Sequence, residues 1–342
     1  MTVEAGKAGS GALTEFDGPV GDGDVLVQGL AVGICGTDVE IADGRYGWAP
    51  EGADRLVLGH ESVGRVIDSP PGSGLVSGDL VVGIVRRPDP VPCQACGAGS
   101  WDMCLNGRYT ERGIKALHGY GAQQWRVEAP FAVRVPDSLG DLAVLLEPAS
   151  VVAKAWHHIE RITARAPLTP RTALITGAGP IGLLAALLAV QRGLDVHVLD
   201  RVTEGPKPAL VADLGATYHT GAVTDLPPAD IVVECTGAPE VVLDAIQRNS
   251  PAGVTCLTGV SSGGRAFEVD VGAVNRRIVL ENDVVFGSVN ANRSHYEQAA
   301  TALAEADRTW LARLITRRVP LESWTRGLDR RPEDVKVVID LE

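Results

Sequence analysis

Cys35, His60 and Glu61 are the residues whose types and spacing most plainly suggest chemistry, in the runs Cys35-Gly-Thr-Asp38 and Gly59-His60-Glu61. A thiolate, an imidazole and a carboxylate suit zinc, whose catalytic sites take three protein ligands and keep one position open for water or substrate. Gly36 and Gly59 are expected to let the backbone turn closely around an ion that a Cβ would crowd. Taken singly, the cysteine and histidine also read as a buried thiol and a core imidazole. Thr37, two residues after Cys35, is placed to take a substrate proton or to cap the following turn. Asp38 either accepts from the second ring nitrogen of His60, fixing its tautomer, or is a solvated turn residue.

A second constellation is Gly177-Ala-Gly179-Pro180-Ile181-Gly182, which follows an apolar run and opens another. In that setting the first glycine makes a tight turn, the second admits a pyrophosphate and the third lets helix pack on strand. The helix amino terminus would carry the phosphate charge. Asp200 ends the next apolar run about 20 residues on, where a carboxylate binds ribose hydroxyls and repels a 2′-phosphate. Arg201 beside it could instead hold that phosphate, so NAD is the first choice of cofactor and NADP the alternative. Thr236, just beyond a later strand, joins the candidate cofactor-binding set.

Cys93, Cys96 and Cys104 form C-x2-C-x7-C. A structural zinc takes four protein ligands, and Pro90 supplies none, so Asp89 or Asp102 would have to complete the site. Otherwise the three thiols stay metal-free and sensitive to oxidation. Cys235 and Cys256 read as core packing. Lys154 and His157-His158 fall on a helix after Glu147, where the histidine pair reads as surface cover ahead of a catalytic role.

These residues need elements to position them. Short β-type runs at 25–27, 63–67, 80–82 and 125–127, separated by Gly, Pro and Asp, predict an irregular β domain. From 171 the pattern becomes strand, helix, strand, with strands at 172–176, 195–199, 230–234, 253–257 and 283–286, which predicts a doubly wound parallel sheet. An amphipathic helix at 296–306 follows, and the alternating strand at 335–340 is expected to return to the first domain. The fold class is therefore α/β plus β, with the catalytic domain at 1–151 and 293–342 and the nucleotide domain at 152–292. A chain of 342 residues with 45% hydrophobic residues can bury two cores.

A net charge of −12 without clustered Lys and Arg argues against a nucleic-acid surface. No apolar run reaches the roughly 18 residues of a membrane span, and 181–190 reads as a buried helix. The first residues lack the apolar core of a signal peptide, so a cytoplasmic protein with reduced cysteines is expected.

Taken in order, Gly33-Ile-Cys-Gly-Thr-Asp38, Gly59-His-Glu61, the cysteine cluster and the run 177–182 resemble the zinc-dependent medium-chain dehydrogenase/reductase superfamily. Arg86-Arg-Pro88, the run 109–114, His118-Gly-Tyr120, Leu146-Glu-Pro148 and the run 286–290 look like its glucose 1-dehydrogenase branch. The resemblance implies a GroES-like catalytic domain, a Rossmann domain binding NAD(P), and a homodimer or homotetramer. It implies oxidation of an aldose at C1 to the aldonolactone, with zinc held by Cys35, His60 and Glu61 and approached by Glu147. It also implies that Glu111 and Asn290 hold sugar hydroxyls. The chain departs from the branch in having three clustered cysteines rather than four, and an amino terminus with little room for a first strand.

On that basis zinc would act as the Lewis acid and nicotinamide as hydride acceptor. One glutamate is expected on the metal and the other partly displaced by substrate. Thr37 would pass the proton towards the cofactor ribose and solvent. Two other readings remain: a zinc-dependent polyol, cyclitol or secondary-alcohol dehydrogenase, and a non-catalytic NAD-binding redox sensor switched by Cys93, Cys96 and Cys104.

Overall fold

A computed structural model of the protein describes residues 1–261, 263 and 266–342. Two compact units emerge, one from Met1–Ser150 with Asn290–Glu342, the other from Val151–Val289.

The first unit is built on a seven-stranded sheet in which Val25–Ile34 is central. Its second half lies between Glu61–Asp68 and Lys336–Asp340, both antiparallel to it, while its first half also pairs with Gln124–Val127. Alternation buries Val25 and Val27, and after a register shift between Gly29 and Ala31 Val32 is buried too, in a core with Leu56, Leu58, Trp125 and Ile339. The strand foreseen at 335–340 does return to this unit, where it also pairs in parallel with Ile315–Pro320. That partner and the helix before it, Arg308–Leu314, carry no strong periodicity and were not foreseen. The amino terminus does find room for a strand, a two-residue pairing of Thr2–Val3 with Leu56–Val57.

The second unit is a six-stranded parallel sheet. From one edge the strands run Thr217–His219, Asp195–Leu199, Thr172–Thr176, Ala229–Glu234, Asn249–Leu257 and Val284–Gly287. In chain order this is the doubly wound arrangement whose direction reverses beside the first strand, where nucleotides bind. The run at 181–190 lies in the helix Pro180–Gln191, with Gly182 and every residue from Leu183 to Ala189 buried. Among the described residues no helix is long and apolar enough to cross a membrane.

Candidate active site

Cys35 is the N-cap of the helix Gly36–Ala42, and its sulfur accepts the Thr37 amide at 3.2 Å. Asp38 completes a reciprocal cap by accepting the Cys35 amide at 2.9 Å. The turn is thus capped by Cys35 and Asp38 and not by the Thr37 hydroxyl, while Thr37 stays half-buried in the first turn. His60 immediately precedes the strand Glu61–Asp68. Gly59 has φ +94°, and a Cβ there would sit 2.9 Å from Val32 Cγ1, so only glycine fits. Gly36 has no such need: a Cβ would meet only the tip of the Arg330 side chain.

These two turns bring Cys35 Sγ to 3.0 Å from His60 Nε2. On the other side of the ring, His60 Nδ1 faces Asp38 Oδ1 at 3.4 Å, long for a hydrogen bond but close for an ion pair. Asp38 is fully buried and is not a solvated turn residue. One oxygen each from Glu61 and Glu147 lies within 4.8 Å of the other and of a His60 nitrogen. Glu147 stands in the first turn of the helix Leu146–Thr163.

Electrostatics match this crowding. Burial would lower His60, but Cys35 and Asp38 hold it well above its ordinary value. Asp38, which burial would raise, is kept low by His60 and the Cys35 amide. Burial, helped by Glu61 and Asp38, pushes Glu147 up to about 7. Lys336, missed in the sequence, is buried here and donates to both Glu61 oxygens at 2.6 Å. A lysine inside an otherwise apolar strand was the available signal, because a buried ammonium needs a partner.

Soft sulfur, imidazole nitrogen and carboxylate oxygens gathered around one buried histidine, with a carboxylate behind the ring, fit a zinc ion. His60 belongs to two clusters, one with Cys35 and Asp38 and one with Glu61 and Glu147, so Cys35, His60 and either glutamate could hold the ion.

Glu111 and Asn290 meet in the same unit, Asn290 Nδ2 donating to Glu111 Oε1 at 2.8 Å. Arg86, whose role here was not foreseen, donates to that same oxygen from Nε at 3.0 Å and Nη2 at 2.9 Å. Among the described residues Glu111 Oε2 makes no hydrogen bond. The site therefore presents one oriented acceptor.

The three sulfurs of Cys93, Cys96 and Cys104 lie within 4.8 Å of one another, with no carboxylate joining them among the described residues. Asp89 is engaged by Asn106, Arg108 and the Val91 amide, and Asp102 by Asn292. Amides of Cys96 and Leu105 lower the Cys93 thiol to about 6.

In the second unit, Gly177 has φ +92°, and a Cβ on Gly182 would overlap the Gly177 carbonyl oxygen. Gly179 caps the helix that Pro180 and Ile181 begin, and space above it is open. A pyrophosphate fits that open amino terminus. Asp200 accepts the Ala178 amide at 2.6 Å and pairs with Lys207 at 3.2 Å, while Arg201 is exposed. Thr236 is held through its amide and hydroxyl by the buried Glu234, and its methyl would touch any Cβ on Gly177. Lys154 is buried and donates to the Val289 carbonyl at 2.9 Å. Cys256 is core, as read, and Cys235 is half-buried.

Comparison with known proteins agrees with this arrangement. The alcohol dehydrogenase GroES-like domain family matches residues 21–137, and the family described as glucose dehydrogenase C-terminus matches residues 140–341. Glucose 1-dehydrogenase of Thermoproteus tenax is 41% identical, over 100% of this chain and 99% of its own. That of Methanocella arvoryzae is 40% identical, over 99% and 98%. Haloferax mediterranei glucose dehydrogenase, solved in complex with NADP, Zn and gluconolactone, superimposes with a TM-score of 0.91 at 34% identity, covering 100% of this chain and 98% of that one. The chain belongs to the glucose dehydrogenase branch of the zinc-dependent medium-chain dehydrogenase/reductase superfamily.

Proposed function

We propose that the protein is a zinc-dependent sugar dehydrogenase that oxidises an aldose, glucose foremost, at C1 to the aldonolactone and passes the hydride to NAD or NADP. The observation that carries this reading is the buried His60, which has the Cys35 sulfur at 3.0 Å and carboxylate oxygens of Glu61 and Glu147 within 4.8 Å. Zinc bound there supplies Lewis acidity to the reacting hydroxyl, and nicotinamide accepts the hydride. Cys35 and His60 hold the ion, and Asp38 holds His60 in orientation. Thr37, whose hydroxyl does not cap the helix, is the group to receive the substrate proton. The oriented oxygen of Glu111 accepts a sugar hydroxyl, and Asn290 fixes that geometry.

Gly177, Gly179 and Gly182 make the pyrophosphate turn, with Pro180, Ile181 and Thr236 around it. Lys207 beside Asp200 offsets the carboxylate, and Arg201 stands next to it, which supports use of both cofactors. Cys93, Cys96 and Cys104 would supply three of the four protein ligands of a second, structural zinc. A homodimer or homotetramer is supported by the half-buried edge strand Val284–Gly287 and by the helix Val271–Glu281, which buries no residue. Six free thiols suit a cytoplasmic setting.

The test is reduced-nicotinamide formation with each cofactor across aldoses, polyols and simple alcohols, alongside zinc content. Turnover of polyols but of no aldose would overturn the sugar reading. Cys35→Ala should lose zinc and reduce kcat/KM by roughly a thousandfold.

A further inference from the structure

Glu234 ends an otherwise apolar strand, Ala229–Glu234, and is fully buried. A carboxylate is costly to bury unless donors surround it. Here they come from two turns. Oε1 accepts the Thr176 hydroxyl at 3.3 Å, the Thr236 amide at 2.6 Å, the Gly237 amide at 3.1 Å and also the Thr236 hydroxyl. Oε2 shares the Gly237 amide at 3.2 Å. A third turn joins through the backbone, because the Glu234 carbonyl accepts the amide and hydroxyl of Thr258, each at 2.8 Å, and the Gly259 amide at 3.1 Å.

One residue therefore ties together the chain leaving three neighbouring strands, Thr172–Thr176, Ala229–Glu234 and Asn249–Leu257, at the edge where a doubly wound sheet takes its nucleotide. Packing around it is tight. A Cβ on Gly259 would sit 2.7 Å from Glu234 Oε2, and Gly237, at φ +63°, has no room for one beside the Val260 carbonyl. The Thr236 hydroxyl gives its proton to Glu234 and accepts the Ala238 amide at 3.0 Å, so it is committed to the turn, while its methyl stands beside Gly177. The glycine run and Asp200 belong to the half of the sheet built on Thr172–Thr176, Asp195–Leu199 and Thr217–His219, which takes the adenosine side of a dinucleotide. Glu234 closes the first strand of the other half, which takes the nicotinamide side.

We propose that Glu234 is a positioning residue for the nicotinamide half of the cofactor: its buried carboxylate fixes the Thr236–Gly237 turn against the glycine turn, so that the crevice holds that half in one orientation. Glu234 acts through Thr236 and Gly237 and does not itself touch the cofactor. The inference rests on the dinucleotide-binding reading of this unit and not on the choice of sugar.

The experiment is titration calorimetry on the full-length, zinc-loaded protein. Its probes are NAD or NADP, whichever binds tighter, and the matching adenosine-side fragment, ADP or adenosine 2′,5′-bisphosphate. Wild type, Glu234→Gln and Thr236→Val are compared. Glu234→Gln keeps the shape and one acceptor but turns an NH2 group towards the Gly237 amide, donor against donor. It should weaken dinucleotide binding roughly tenfold, while fragment binding changes by less than about twofold and the melting temperature barely moves. Equal weakening of both ligands would mean a general disturbance of the sheet edge and would overturn the proposal, as would an unchanged dinucleotide affinity.

Thr236→Val, which removes the hydroxyl at an exposed position, guards against a Glu234→Gln protein that does not fold. It should show the same split at roughly threefold to fivefold, and dinucleotide affinity equal to wild type would sink the idea. A wild type that binds the dinucleotide but turns over no aldose would count against the sugar reading only. One that binds neither dinucleotide would overturn this inference together with the cofactor reading.

Discussion

Glu147 enters the folded protein at a cost that depends on pH. Its carboxyl is raised from 4.5 to about 7, so the unfolded chain gives up this proton more readily than the folded one. Stability from this group is full below pH 4.5 and is lost as pH rises through 7, a swing of roughly 3 kcal/mol. Metal-free protein should therefore lose melting temperature across that window. Glu147→Gln should flatten the slope, and added zinc should reverse it by replacing the proton. Calorimetry between pH 4.5 and 8 on the two stripped proteins checks this; equal slopes would refute it. Cys93 is perturbed in the opposite direction: two amides lower its thiol to about 6. In chelator-treated protein it should be alkylated by iodoacetamide ahead of Cys96, whose thiol burial raises. Peptide mapping over pH 5 to 8 would show the order, and zinc should protect it.

Turns and strand crossings decide how much of the site was legible. Cys35, His60 and the glycine run could be read because their meaning is local: a capped turn, a positive-φ glycine before a ligand, a strand opening into a helix. Gly182 shows how strict that local chemistry is. Gly182→Ala should raise the KM for the nicotinamide cofactor at least about tenfold, since the new methyl would push on the Gly177 carbonyl that shapes the turn. Zinc content should not change; an unaltered KM would mean the turn can relax. The roles of Lys336 and Arg86 were hidden for the converse reason. Each acts on a carboxylate brought near by strand pairing, Glu61 and Glu111 respectively, and nothing in the adjoining residues announces either partner. The same limit hid the short edge strand Thr217–His219, whose pairing with Asp195–Leu199 comes from the sheet and not from its own composition.

At the scale of the molecule, the two units were legible because their hydrophobic rhythms differ, irregular β runs in one and alternating strand and helix in the other. Less legible was how far the first unit depends on residues that follow the second. Lys336–Asp340 is an interior strand, paired on both sides. Removing residues 336–342 should leave that sheet unable to close, so that the truncated protein binds no zinc and is cleaved rapidly in the first unit. Limited proteolysis with metal analysis checks this, and a truncated protein retaining zinc would contradict it. The ion pair of Lys336 with Glu61 adds a dimension of time. Its two halves are 275 residues apart in the chain, and the whole of Val151–Val289 is synthesised between them. Translation at about 5–20 residues per second leaves Glu61 without its lysine for many seconds, while the second unit already has all its strands. The buried ion pair is thus among the last features a newborn molecule acquires, and until then the Glu61 carboxylate has no ammonium beside it.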